Sequence, residues 1–168
     1  MSRTLVIEAV MLAVHGQLLH PDIPVTYVIP YTSIQELYEL KDLNEPIMLV
    51  SSDDAYVKQR IVELIAFFEE AFNRKKIEKA LQVPWRKSTP LLINEFVTLA
   101  VVYAVDHAEY GEQFDPIETE LILTAIKENA GLITDQLELM ERIIEAEIPV
   151  QVFDVEDFEY AVEEDYQV

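Results

Sequence analysis

Asp135 directly follows a short apolar stretch, "GLIT" (131–134), and precedes residues of helical character. An acid placed where a strand ends is a common position for a metal-binding carboxylate, whose hard oxygen atoms suit Mg²⁺ or Mn²⁺. The same position is also common for a residue that caps the next helix. The local sequence therefore leaves two roles open for Asp135, one chemical and one structural.

A second acid, Glu8, lies inside the apolar run 4–14, "TLVIEAVMLAV". A continuous apolar run has no decisive period, so this one fits either a buried strand or a short helix. In a strand, Glu8 has no capping role and a functional role becomes the better explanation. In a helix, Glu8 simply faces solvent.

Three pairs of residues match the capping box, in which an acceptor at the N-cap and an acid three residues later satisfy each other's free N–H groups. The pairs are Ser33 with Glu36, Asp115 with Glu118, and Asp135 with Glu138. Each such pair stabilises a helix N-terminus by about 0.5–2 kcal/mol. These acids therefore have a structural explanation that needs no chemistry.

A basic cluster surrounds the single tryptophan, and eight of the twelve Lys and Arg residues lie between positions 58 and 87. We interpret four of its residues as candidates for substrate binding: Arg74, Lys75 and Lys76 for a phosphate backbone, and Trp85 for a stacked base. The alternative is that the cluster complements helix carbonyl ends and the acidic half of a partner subunit.

The net charge of −20 is unevenly distributed, because the chain from Ala104 onward carries 19 acids and only two bases. A strongly acidic chain repels phosphate backbones, which disfavours RNA as a partner although a local basic patch can still bind it. A protein partner or a homo-oligomer fits this charge better.

The composition predicts one packed globular domain over residues 1–158, followed by an acidic tail at 159–168. Apolar residues make up 51% of the 168 and glycine is scarce. The chain has no cysteine, which excludes disulfides and thiolate metal sites and fits a reducing cytosol. The run 4–14 is too short to cross a membrane, so we expect a cytoplasmic protein with no membrane partner.

The first half of the chain predicts a strand followed mainly by helices. The expected elements are a strand at 25–30, a helix at 32–43, a long helix at about 54–72, a second helix at 74–83 stopped by Pro84, and a central helix at 89–111 that is apolar nearly all round.

The second half alternates helix and strand. The expected elements are a helix at 114–129 with Asp115 as its cap, a strand at 131–134, a helix at 135–147, a strand at 148–153 and a terminal helix at 155–164. A strand–helix–strand unit favours parallel pairing. The predicted fold class is therefore α/β, with a small, mainly parallel sheet surrounded by many helices.

Taken in order, these segments resemble a PIN-like domain, the small α/β nuclease fold found in toxins of toxin–antitoxin pairs and in RNA-processing enzymes. The resemblance rests on an acid in the first apolar run ("LVIEAVMLA"), a Glu-Leu pair in an early helix ("SIQELYEL"), a later helical acid, and a strand ending in Thr-Asp ("IETELILTAIKENAGLITD"). The closing "EIPVQVFDVEDF" is similar to the last strand of the family.

The resemblance implies a divalent-metal-dependent endoribonuclease. It assigns catalytic roles to Glu8, Glu36, Glu118 and Asp135, with Mg²⁺ or Mn²⁺ held by Glu8, Glu118 and Asp135 and with Thr134 supporting them through its hydroxyl. Such a metal positions water and stabilises charge on the phosphodiester. We expect the four carboxylates to lie close together.

One departure from the family pattern supports an alternative. Family members have Asp, Thr and Asn in the first motif, whereas this chain has Glu8, Ala9 and Val10. The alternative is a PIN-like protein without catalysis, possessing the same fold and acting as a protein-interaction module through its acidic C-terminal half.

Overall fold

A computed structural model describes residues 3–105, 110 and 112–163. Within these residues, helices on both faces enclose a six-stranded sheet. The strands are β1 (Arg3–Val6), β2 (Val25–Pro30), β3 (Leu91–Leu92), β4 (Val97–Val102), β5 (Gly131–Ile133) and β6 (Val152–Phe153). The helices are α1 (Met11–Val14), α2 (Tyr31–Asp42), α3 (Ser51–Glu69), α4 (Ala71–Ala80), α5 (Pro116–Glu128), α6 (Leu137–Glu145) and α7 (Phe158–Glu163).

The strands lie in the order β3-β4-β2-β1-β5-β6. All neighbouring pairs are parallel except β3, which runs antiparallel to β4. From β1 the chain first builds the sheet toward β2 and β4, and later returns to add β5 and β6 on the other side of β1. This arrangement confirms the predicted α/β class with a mainly parallel sheet.

The two faces of the sheet carry separate apolar layers. Side chains of α1, α2, α3, α4 and α7 pack on one face, against residues such as Tyr27 and Leu99. Side chains of α5 and α6 pack on the other face, against residues such as Val28 and Ala100. Because a parallel strand is covered on both sides, its sequence reads as continuously apolar.

That double coverage explains why the predicted central helix at 89–111 is wrong. Residues Val97–Val102 form β4 instead, paired along its whole length with β2. A sequence that is apolar all round fits a buried helix and a central strand equally well, and here the β-branched residues indicated the strand. Positions 106–109 and 111 of the predicted helix lie outside the described residues.

The run 4–14, left open between strand and helix, contains both. It forms β1, then a connection that includes Glu8, then the single-turn helix α1. The predicted strand at 148–153 is reduced to β6 at 152–153, and it pairs in parallel with β5 as expected. Helix α7 runs across the predicted boundary at 158/159, and residues 164–168 of the tail lie outside the described residues.

Gly131 begins β5 where the side chain of Phe153 crosses it. A Cβ at position 131 would lie 2.8 Å from Cε2 of that ring, so a larger residue would have to displace the ring. This close approach, and not a special backbone angle, requires glycine at the start of β5.

One of the three predicted capping boxes is confirmed and two are wrong. At α5, the Asp115 side chain accepts from the Glu118 N–H and the Glu118 side chain accepts from the Asp115 N–H. Helix α2 already begins at Tyr31, before Ser33, and α6 begins only at Leu137, after Asp135. Neither of those two helices has a side-chain cap.

Among the helices of the described residues, none combines the length and the apolar character needed to cross a membrane.

Candidate carboxylate site

The carboxyl ends of β1 and β5 bring together two of the predicted acids. Glu8 lies two residues beyond β1, and Asp135 lies two residues beyond β5. These adjacent strands form the point at which the order of the sheet reverses. In open α/β sheets, ligands bind in the crevice at this point, outside the carboxyl ends of the strands.

Glu8 is the most deeply placed acid of the crevice, with only 7% of its surface exposed. Its Oε1 accepts a hydrogen bond of 3.1 Å from Nε2 of Gln136, and the carboxyl group of Glu36 lies close enough to affect its pKa. Burial and, to a smaller extent, the carboxylates of Glu36, Asp135, Asp115 and Glu118 together raise the pKa of Glu8 to about 8. Glu8 therefore retains its proton close to neutral pH.

Glu36 reaches Glu8 from α2. Burial raises the pKa of Glu36, nearby Glu39 and Asp115 add to the effect, and only the interaction with the Glu8 side chain opposes it. The helix is fixed to the β1 connection by Ser33, whose hydroxyl donates to the Pro30 carbonyl at 2.9 Å and accepts from the Ala9 N–H at 3.2 Å.

Glu118 has a cationic partner instead. Its Oε2 lies 2.5 Å from Nη2 of Arg142, and its Oε1 accepts from Nη1 of the same residue at 3.1 Å. Burial opposes ionisation of Glu118, but the hydrogen bonds from Arg142 and from the Asp115 N–H outweigh it and lower the pKa of this carboxyl group. Glu118 is therefore ionised, and Arg142 neutralises its charge at the edge of the crevice.

Asp135 is paired with His15, which follows α1. Nε2 of His15 lies 2.8 Å from Oδ2 of Asp135, and both side chains are partly exposed. The neighbouring Thr134 is buried, and its hydroxyl accepts from the Gln136 N–H at 3.1 Å. Thr134 thus fixes the turn that carries both Asp135 and Gln136.

The four predicted acids gather at one edge of the sheet but have different partners. Glu8 and Glu36 are close enough to affect each other's pKa, whereas Glu118 and Asp135 are held by Arg142 and His15. In the part of the chain that the structure describes, no three His, Asp or Glu side chains form a group arranged to hold a metal ion. The predicted set of Glu8, Glu118 and Asp135 does not share a common contact.

Three residues of the crevice were not among the predicted ones: His15, Gln136 and Arg142. The first two are joined to acids more than 100 positions away, and no local pattern indicates such a contact. Arg142 did have a signal, because it is one of only two bases after Ala104. A lone cation in so acidic a region is expected to form an ion pair with a carboxylate.

The residues predicted to bind substrate are separated in space. Lys75 and Lys76 line one groove, together with Lys79, Arg86 and Lys87. Arg74 points elsewhere and pairs with Glu78 at 3.1 Å. Trp85 packs on the α5 side of the sheet, with Nζ of Lys127 4.8 Å from the centre of its ring.

No protein-family model matches this chain, and no curated protein matches it. One similar solved structure is described as a domain of a functionally unknown protein from Methanocaldococcus jannaschii DSM 2661. The two share 12% sequence identity, the similarity covers 91% of each chain, and the TM-score is 0.47.

Proposed function

We propose that this chain is a PIN-like domain that hydrolyses phosphodiester bonds of RNA at the carboxylate crevice, with the help of Mg²⁺ or Mn²⁺. The observation that carries the proposal is the position of Glu8. This acid is buried at the point where the order of the sheet reverses, beside Glu36 and in the field of three further carboxylates.

Such a position costs folding stability, because burial and like charges both disfavour an ionised Glu8. An apolar residue would fill the same space without that cost. Strongly perturbed carboxyl groups in a cleft are typical of functional sites. The energetic cost therefore supports a chemical role for Glu8 over a structural one.

The donor set of the crevice fits a hard divalent cation in its chemistry, since it offers carboxylate oxygens and no sulfur. Glu8 and Glu36, the two neighbouring acids, would hold the ion, whereas Asp135 is paired with His15 and Glu118 is already neutralised by Arg142. The bound cation would polarise the phosphate and lower the pKa of a water molecule that attacks it.

The side chains of the crevice would bind the cation and orient its ligands. Glu8 and Glu36, whose pKa values are raised, must lose their protons when a cation binds, so binding is expected to become tighter as the pH rises. Gln136 donates to Oε1 of Glu8 and orients that carboxyl group. Thr134 fixes the turn that presents Asp135.

The test is cleavage of a labelled single-stranded RNA of about 12 nucleotides with Mn²⁺, with Mg²⁺ and with excess EDTA. We expect metal-dependent cleavage. Glu8→Gln should reduce it at least about 100-fold, because glutamine has nearly the same shape as glutamate but lacks the carboxylate that would hold the metal. The matched control is Glu141→Gln, which removes the charge of an exposed acid on α6. Cleavage that persists in EDTA, or that survives Glu8→Gln, would reject the proposal.

A further inference from the structure

The basic groove is a depression of about 610 Å³ between α4 and the segment 86–89. Its five cations, Lys75, Lys76, Lys79, Arg86 and Lys87, are nearly half of all the Lys and Arg residues in a chain of net charge −20. The exposed ring of Phe72, with 71% of its surface accessible, forms part of the same wall.

Only part of this positive charge is compensated. Nζ of Lys87 pairs with Glu128 at 2.9 Å, and Nζ of Lys76 donates to the Pro90 carbonyl at 2.7 Å. Among the described residues, Lys75, Lys79 and Arg86 have no ion-pair partner. Three unpaired cations that share one groove repel each other, and a complementary anionic surface would relieve that repulsion.

The acidic segment, residues 154–165, has the opposite imbalance. It carries seven acids and no base, and no Lys or Arg follows Arg142. In its described part, Glu156, Asp157 and Glu159 are exposed and have no cationic partner. The segment follows β6 and returns across the sheet, where the Ala161 carbonyl accepts from Nε of Arg3 in β1 and Glu156 and Glu159 lie beside residues 20–23, whereas the groove lies beside β3 and β4.

These two surfaces of one copy do not meet. Among the described residues, no acid of the segment lines the groove or forms an ion pair with one of its cations. In a second copy, the acidic segment can approach the groove of the first. Contact between two copies relieves the like-charge repulsion of both surfaces, whereas a bound polynucleotide would relieve that of the groove alone.

We propose that the basic groove of one copy binds the acidic segment of a second copy, so that the chain associates head to tail through charge complementarity. The contact joins two different surfaces and is therefore heterologous, the type that builds rings or open chains. It depends on charges at the protein surface, so salt should weaken it strongly.

Sedimentation velocity of the full chain tests this proposal at about 50 mM and about 300 mM NaCl, where screening differs greatly. We expect concentration-dependent association at low salt that is lost at high salt. Lys75→Glu with Lys79→Glu should weaken the association at least about tenfold. The matched control, Lys41→Glu with Arg74→Glu, changes the net charge equally with two exposed cations outside the groove and should retain it.

A charge swap makes the test specific. Glu156→Lys with Glu159→Lys should also abolish self-association, and an equimolar mixture of this variant with the groove variant should associate again, after circular dichroism has shown both to be folded. A monomer at low salt, an equal loss in the control variant, or a mixture that stays monomeric would overturn the proposal.

A labelled single-stranded RNA of about 12 nucleotides, added in EDTA, tests whether the groove binds RNA instead. RNA binding that is lost in the groove variant while self-association persists would assign the groove to nucleic acid and also overturn the proposal.

Discussion

Arg142 on α6 and Glu118 on α5 form a two-pronged ion pair at the mouth of the carboxylate crevice. Nη2 of the guanidinium lies 2.5 Å from Oε2 and Nη1 lies 3.1 Å from Oε1. The same guanidinium lies 5.3 Å from the centre of the Phe114 ring and donates to the Gln113 carbonyl at 3.3 Å. Arg142 thus joins α6 to the start of α5 and neutralises one acid of the site.

Removal of Arg142 should destabilise the protein through the charge that it leaves behind. Glu118 is 9% exposed, so Arg142→Ala leaves a nearly buried carboxylate without its cation. We expect a loss of about 2–3 kcal/mol in the free energy of unfolding, below the full value for a buried pair because Arg142 itself is 40% exposed. Urea denaturation measures the loss.

The double variant Arg142→Ala with Glu118→Gln separates lost charge from lost packing. It should recover at least about 1 kcal/mol relative to Arg142→Ala, since no unpaired charge remains. Arg74→Ala is the control, because its pair with Glu78 is exposed, and it should cost less than about 0.5 kcal/mol. A double variant no more stable than Arg142→Ala would mean that the guanidinium acts by packing alone.

Glu8 should make the protein more stable in mild acid than in mild base. Its pKa is about 8 in the folded chain, against 4.5 for the ordinary carboxyl group. Between these values the folded chain holds a proton that the unfolded chain has released, so the free energy of unfolding falls as the pH rises, by at most about 1.4 kcal/mol per unit. The raised pKa of Glu36 also makes the free energy of unfolding fall as the pH rises. The lowered pKa of Glu118 affects stability only below about pH 4.5, where its stabilising charge is lost as the pH falls.

Urea denaturation at about pH 5.5, 7 and 8.5 measures this dependence. The original chain should lose up to about 3 kcal/mol over that range. Glu8→Gln should lose markedly less, because glutamine has no proton to release there. Equal slopes for both proteins would show that the dependence arises elsewhere.

Asp115 and Asp135 each precede a helix and have an acid three residues later, but only Asp115 caps its helix. Asp115→Ala should cost about 1 kcal/mol, because it removes the acceptor for the Glu118 N–H at the start of α5. Asp135→Ala should cost less than about 0.5 kcal/mol, because it removes only a partly exposed pair with His15. Thermal melting of both variants distinguishes the two, and a larger loss at Asp135 would contradict the structure of the turn.

These cases show which parts of the fold were readable in the sequence. Helix α5 could be predicted because its start is encoded locally, by Asp115, Pro116 and Glu118 within four positions. Strand β4 could not, because its apolar residues face two helical layers that come from distant parts of the chain. Local patterns reveal periodicity and caps, but they do not reveal which surfaces cover a segment.

The candidate site, too, could be predicted from the sequence only in part. Glu8 could be identified as unusual because an acid in an apolar run conflicts with its surroundings. The partners that determine its chemistry, Glu36 and Gln136, are brought to it by the order of the strands. The ion pair of Glu118 with Arg142 likewise depends on the packing of α6 beside α5, which no spacing in the sequence indicates.

Arg142 also leads to a prediction about metal binding. Because its guanidinium occupies both oxygens of Glu118, Arg142→Gln should free this carboxylate and strengthen the binding of Mn²⁺ in the crevice. Thermal melting over a range of Mn²⁺ concentrations measures the change, since a ligand that binds only the folded state raises the melting temperature. We expect a larger rise for Arg142→Gln than for the original chain, and none for Glu8→Gln. An equal rise in all three proteins would locate Mn²⁺ outside the crevice and contradict the proposed site.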